Sequence, residues 1–192
     1  MKNQFVSLAA TALLSLGGAV AFHPPAQAVQ LRGTTYFASP PRLVGSESTQ
    51  KFIYAWGAIY FFTLEVPPNA GEPLQRVTIA QQTSPDYVRF DLGRTEAFEG
   101  GGRSGPKVPL GAVSYDDKSR TVTATFDPPI QPGKTVTIAL RPYQNPSVGG
   151  VYLYGVTAFP GSGEPAYGQF LGFGRFSIYE SGPDSFFFSP FR

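Results

Sequence analysis

The sequence predicts an all-β fold, a single antiparallel sandwich of two immunoglobulin-like sheets, and three observations carry that expectation. Between residues 34 and 180, short runs rich in Val, Ile, Thr, Phe and Tyr recur, separated by Pro, Gly, Asn and Asp, which is the pattern of strands and turns. Nothing sustains a helical period, apart from one candidate turn at residues 95–98. The chain contains no cysteine, so its core must hold without disulfide staples. A domain of ~150 residues buries about 68–70% of its unfolded surface and can do so.

The N-terminus reads as a secretory signal. Lys2 supplies a small positive region, and residues 5–22 form an uncharged run dominated by Ala, Leu, Val and Gly. His23-Pro24-Pro25 then stops any helix, and Ala26-Gln27-Ala28 gives an A-x-A cleavage pattern. The run approaches the roughly 18–20 residues of a membrane span, but Gly17-Gly18 and the small, proline-rich exit favour cleavage over anchoring. The expected organisation is a signal at 1–28, a sandwich domain at 29–180 and an aromatic tail at 181–192, with no stable membrane span after cleavage.

The strands read in order. Residues 59–66 place Tyr60, Phe62, Leu64 and Val66 on one side and Ile59, Phe61 and Thr63 on the other. Residues 112–128 form the clearest hairpin: Val113 and Tyr115 lead into the polar turn Asp116-Asp117-Lys118-Ser119. In the return, Val122, Ala124 and Phe126 alternate with Thr121, Thr123 and Thr125. Asp127-Pro128-Pro129 is expected to end that strand. After a Pro-Gly turn, Val136, Ile138 and Leu140 alternate with Thr135 and Thr137; the threonines of both strands are expected to share one wet face. Residues 151–159 and 170–179 are apolar on both sides, as in strands lying centrally in a sandwich or under a covering loop. The strand count, near eight or nine, suits a sandwich, with a barrel as the alternative. Residues 93–109, with Gly100-Gly101-Gly102, read as one long loop.

Residue types exclude several chemistries. The only histidine, His23, and the only methionine, Met1, leave with the signal. The mature chain then offers no imidazole or thiol for a nucleophilic triad or dyad, nor for a copper or zinc site. No metal and no cofactor are expected. Lys and Arg number 15, of which Lys2 is lost, against 13 Asp and Glu. Such a balance, with the basic residues dispersed, argues against nucleic-acid binding. Asp91, Glu96 and Glu99 are the alternative acid/base set, since a glycosidase needs two carboxyl groups about the scissile bond; the simpler expectation is that Arg89, Asp91 and Arg94 pair as ions at a strand edge. Asp116, Asp117 and Asp127 are candidate calcium ligands, though adjacent aspartates at a hairpin tip serve the turn itself. Gly133-Lys134-Thr135 is not a phosphate loop, because Pro128 occupies the leading glycine position and a strand follows. Asn145-Pro146-Ser147 is disqualified as a glycosylation acceptor by its proline.

The aromatic residues are the better lead. Tyr54, Trp56, Tyr60, Tyr143, Tyr152 and Tyr154 are many for a chain with few charges, and tyrosine and tryptophan combine large apolar area with a polar tip. A row of them on a sheet face would stack on sugar rings or contact a protein, although most such rings belong to cores. Phe186, Phe187 and Phe188 offer a second candidate surface in the tail. The candidate binding residues are therefore Tyr143, Tyr152, Tyr154, Trp56, Phe186, Phe187 and Phe188. The expectation is a non-enzymatic module binding a protein or envelope polysaccharide, with a carboxylate-dependent glycan hydrolase as the alternative.

Five blocks carry a family resemblance: GEPLQRVTIAQQ from Gly71, RFDLGRTEAFEG from Arg89, TVTATFDPPIQPGKTVTIALRP from Thr121, GGVYLYGVTAFP from Gly149 and GQFLGFGR from Gly168. Together they resemble a cyanobacterial family of exported proteins catalogued as a domain of unknown function, DUF2808, over residues 31–179. The resemblance implies a cyanobacterial envelope or thylakoid-lumen setting, and the expected location is exported: periplasm, thylakoid lumen or extracellular. It brings no activity and no functional residues, and the Phe-rich tail lies outside its pattern.

Overall fold

Tyr60, Phe62, Leu64 and Val66 have no solvent exposure, and the architecture follows from what covers them. The computed structural model describes residues 29–31, 33–161, 163 and 165–180. Its strands are β1 (Val29–Leu31), β2 (Thr34–Tyr36), β3 (Arg42–Ser48), β4 (Tyr60–Glu65), β5 (Leu74–Gln81), β6 (Glu96–Glu99), β7 (Lys107–Val108), β8 (Leu110–Asp116), β9 (Thr121–Ile130), β10 (Thr135–Leu140), β11 (Gly150–Pro160) and β12 (Gln169–Ile178). One 3₁₀ turn, Leu92–Arg94, precedes β6. Two five-stranded sheets, β3-β4-β10-β6-β7 and β12-β11-β5-β9-β8, face each other, and β1 and β2 form a separate ribbon. Strand pairing within both sheets is antiparallel and neither sheet closes into a barrel. The expected all-β sandwich is what the chain forms. The predicted signal at 1–28 and tail at 181–192, with Phe186, Phe187 and Phe188, lie outside the described residues.

The period-two pattern of β4 sets the first sheet. β10 pairs with it in the register Val136↔Leu64, Ile138↔Phe62 and Leu140↔Tyr60, so six apolar side chains point to one side. The second sheet answers with Val77 and Ile79 from β5, Val122 and Phe126 from β9, and Tyr152, Tyr154, Val156 and Phe176 from β11 and β12. Rings join the sheets. Tyr60 stacks on Phe176 at 4.5 Å and 15°, while Tyr154 meets Tyr60, Phe62, Phe90 and Phe176 edge-on at 5.5–6.1 Å. Such geometry adds about 0.5–1.5 kcal/mol per pair beyond burial. At the β3–β12 edge the sheets close on each other: a Cβ on Gly174 would lie 2.6 Å from the Phe62 ring, and the Arg175 N–H donates to Ser46 Oγ at 3.0 Å.

Four expectations are corrected. Tyr152 and Tyr154 do not form an exposed row; both are fully buried, and Val151 is their exposed neighbour. A strand apolar on both sides does not reveal its inward face by periodicity, and here the larger rings fill the core. Residues 93–109 are not one loop, since β6 and β7 form a short hairpin there around the glycines. Ala97 on β6 is buried while Glu99 reaches solvent, a pattern too brief to read from four residues. The threonines of β9 and β10 belong to different sheets, and Thr137 is buried, bonded to Thr63 Oγ1 and the Gly100 carbonyl. Finally, β9 continues past Asp127 to Ile130, which pairs with Leu74 of β5.

The Tyr154 hydroxyl is buried with no hydrogen-bond partner, and burial pushes this phenol well above the usual tyrosine range. An unmet buried hydroxyl costs about 1–3 kcal/mol. Tyr154→Phe keeps the ring contacts and removes that group, so the variant should be as stable as the wild type or up to about 1 kcal/mol more stable in urea unfolding. A loss of 1 kcal/mol or more would reveal a bonded partner, such as a trapped water.

Candidate functional site

Four connections meet at one end of the sandwich: residues 49–59, 82–95, 117–120 and 141–149. They enclose three adjoining clefts. One of about 390 Å³ is lined by Tyr54, Asp86, Tyr87, Arg89, Tyr115 and Arg120 among others. A second, of about 410 Å³, shares Arg89, Tyr115, Asp117 and Tyr143 with it. A third, of about 230 Å³, lies between Trp56, Arg94, Arg141 and Tyr143 and shares Asp91 and Tyr143 with the second. Tyr143 is the wall common to all three. Trp56 is 74% exposed and Tyr143 60%, values too high for rings serving the core.

The loops are held, not draped. Asn145 is 3% exposed. Its Oδ1 accepts from the Tyr60 hydroxyl at 3.0 Å, and its Nδ2 donates to the carbonyls of Gln50 and Phe52 at 3.1 and 2.9 Å. Its backbone N–H donates to Ala55, and Tyr54 N–H donates to Pro146. Across the groove, Gln81 Nε2 donates to Ser84 and to the Asp86 carbonyl, and its Oε1 accepts from Val88. Asp86 then clasps the neighbouring loop: Oδ2 accepts from Ser147 N–H at 2.7 Å and Ser147 Oγ at 2.8 Å, while Oδ1 accepts from Tyr87 N–H. Those donors, the Ser147 N–H first, hold the Asp86 carboxyl below the usual aspartate range against the opposing effect of burial.

Two backbone outliers fall in the same cleft. Among the described residues, Tyr54 (φ 56°) and Arg120 (φ 53°) are the non-glycine residues with left-handed φ, and both line the 390 Å³ cleft. Non-glycine residues pay for this conformation, and it persists where surroundings over-determine it, which is common at binding sites. The Arg120 guanidinium carbon stands 3.0 Å from the centre of the Tyr87 ring, a cation–π contact that keeps this side chain against the groove wall.

Of the residues expected from sequence, Trp56 and Tyr143 come together here, with Tyr54 beside them. Tyr152 lies beneath, its hydroxyl donating to the Val148 carbonyl at 2.7 Å, and Tyr154 lies deeper in the core. The three candidate acids have different partners, and among the described residues Asp91 makes no ion pair with Arg89 or Arg94, contrary to expectation. Asp91 lines the groove, Glu96 accepts from Lys107 at 2.7 Å and Arg141 at 3.0 Å, and Glu99 pairs with Lys134 at 2.6 Å. Lys107 first and Arg141 second keep Glu96 below the usual carboxylate range. Asp116 accepts from Lys118 N–H and Ser119 Oγ, serving its own turn, and no group of three or more Asp, Glu, His or Cys clusters among the described residues. No described helix is long and apolar enough to cross a membrane. Sequence reading passed over Asp86, Tyr87, Tyr115, Arg120, Asn145 and Ser147 as site residues. The signal that finds them is topological, because alternating strand direction brings their four loops to one end.

Fold and site together define a two-sheet β-sandwich carrying an aromatic, mixed-charge groove on its loops. The chain belongs to the family described as "Protein of unknown function (DUF2808)", which matches residues 34–178. No curated protein matches it in sequence. Among solved structures it is similar to the N-terminal domain of the Streptococcus gordonii adhesin Sgo0707, at 14% identity and TM-score 0.48 over 76% of this chain and 34% of that one. It is similar as well to the structure of manganese lipoxygenase of Gaeumannomyces graminis with partial zonadhesin of Komagataella pastoris, at 12% identity and TM-score 0.45 over 74% of this chain and 49% of that one. A third is the collagen-binding domain from a Staphylococcus aureus adhesin, at 9% identity and TM-score 0.36 over 64% and 87%. The chain thus spans about a third and about half of the first two.

The Asp86 clasp predicts a pH dependence. Its carboxyl titrates lower in the folded than in the unfolded chain, so its contribution is complete above about pH 5 and is lost as acid protonates the folded form. Asp86→Asn should cost about 1 kcal/mol near neutrality, the partly exposed site reducing the value of these charge-assisted bonds. Thermal melts of both proteins from pH 7 to pH 3 check it: the gap between them should narrow as pH falls, and a constant gap would refute the clasp.

Proposed function

We propose that the protein is a non-enzymatic binding module, exported to the envelope or thylakoid lumen of a cyanobacterium, which holds a protein or envelope polysaccharide in the loop-end groove. The observation that carries this reading is the set of exposed rings, Tyr54, Trp56, Tyr87 and Tyr143, standing on loops that are bonded to the core. Aromatic residues on a preordered surface give contact area at little cost in entropy, and Trp, Tyr and Arg dominate binding hot spots. The two larger clefts, of about 390 and 410 Å³, fall within the roughly 300–1,000 Å³ typical of ligand sites.

Hydrolysis has less support. Residues 29–192 supply no imidazole or thiol. Glu96 and Glu99 are engaged by lysines and arginine, and Asp86 by Ser147. Export rests on the signal read at residues 1–28; protein recovered from a periplasmic or lumenal fraction should begin at Val29 when its N-terminus is determined by mass spectrometry.

Retention of the protein on isolated envelope and lumen fractions measures the groove directly. Trp56→Ala combined with Tyr143→Ala should reduce retention by at least tenfold, about 1.4 kcal/mol or more, with an unchanged circular dichroism spectrum, since both rings are exposed. Undiminished retention would move the binding surface elsewhere.

A further inference from the structure

We infer that the ligand of the groove is a neutral, hydroxyl-rich polysaccharide chain; this rests on the groove being the binding surface. Charged side chains that make no hydrogen bond or ion pair there come in both signs. Arg89, Arg94, Asp91 and Asp117 line the clefts, and among the described residues none of the four makes a side-chain hydrogen bond or ion pair. Away from the clefts Arg42 and Arg103 are each paired with a glutamate, and of the arginines in the third cleft only Arg141 is so engaged, by Glu96. The groove therefore keeps open donors and open acceptors next to each other.

That combination selects by chemistry. A polyanion gains Arg89 and Arg94 but meets Asp91 and Asp117, and a polycation meets the reverse. A hydroxyl is one donor and two acceptors, so vicinal hydroxyls on one ring satisfy a carboxylate and a guanidinium together. The C–H face of a sugar ring lies against an aromatic face whose edge carries a polar group, and Trp56 and Tyr143 line one cleft in this way. A protein partner fits less well. Protein interfaces have an apolar centre depleted of charge, whereas the 390 Å³ cleft is lined by no Leu, Ile, Val or Met. Three adjoining clefts sharing Tyr143 suit successive rings of a chain better than a single sugar.

Native affinity electrophoresis of the purified protein tests this, in gels containing dextran, hydroxyethyl cellulose or galactomannan as neutral polymers and polygalacturonate or polyglutamate as charged ones. The expected result is retardation by at least one neutral polymer, with affinity changing less than twofold between 20 and 500 mM NaCl. It should fall tenfold or more in Trp56→Ala and in Tyr143→Ala, and threefold or more in Asp91→Asn and in Arg94→Gln. Retardation by the charged polymers alone, abolished by salt, would overturn the neutral-glycan inference while leaving the groove as the binding surface if Trp56→Ala also lost it. Retardation by no polymer would likewise overturn the inference, and retention on envelope or lumen fractions would then report independently on the groove. Neutral binding indifferent to Trp56→Ala and Tyr143→Ala would defeat the groove reading itself.

Discussion

A single buried amide ties the loop end to the sandwich. Asn145 takes the hydroxyl of Tyr60, whose ring belongs to the inter-sheet stack, and gives both of its amide hydrogens to carbonyls of the loop that carries Tyr54 and Trp56. A buried amide with its partners met is stable; the same group with partners removed leaves several polar atoms without water or protein to bond. The geometry of the groove is thereby coupled to the packing of the core. Pro146 and Ser147, the next residues, extend the same link to Tyr54 and Asp86.

The tyrosines divide by where their hydroxyls can go. Tyr60 and Tyr152 stand near the loop end of the core, so their rings fill the sandwich while their tips reach Asn145 and the Val148 carbonyl. Each thus contributes apolar area below and a fastening above. Tyr154 sits deeper, in edge contact with four rings, and its tip reaches nothing. Tyr54, Tyr87 and Tyr143 stand on the loops themselves and present their rings to solvent. One residue type therefore serves as core, fastener and contact surface within a short distance, which suits a domain whose stability comes without disulfides.

Much of this was legible in the sequence. The β8–β9 hairpin followed from its alternating valine, alanine and phenylalanine against threonine, and the two faces of β4 were separable, though which of them forms the core was not. Trp56 and Tyr143 were named as contact candidates only as part of an aromatic set that also held the buried Tyr152 and Tyr154. The faces of β11 were not legible, because Val151 and Leu153 are as apolar as Tyr152 and Tyr154, and parity gives two faces without naming the inner one. The β6–β7 hairpin was hidden by its glycines and by the brevity of its strands. Asp86 and Asn145 look like ordinary loop residues; their roles arise from partners 61 and up to 95 positions away, a separation no local pattern encodes.

The central claim is that the groove is preformed because Asn145 fastens its loops to the core. Hydrogen exchange by mass spectrometry on Asn145→Ala tests it most directly. Removing these bonds should ease local opening by about 2 kcal/mol, so exchange in residues 49–59 should quicken roughly thirtyfold while β4 and β10 keep their protection. Unchanged exchange in that loop would contradict the account, as would a uniform loss of protection across the whole sandwich.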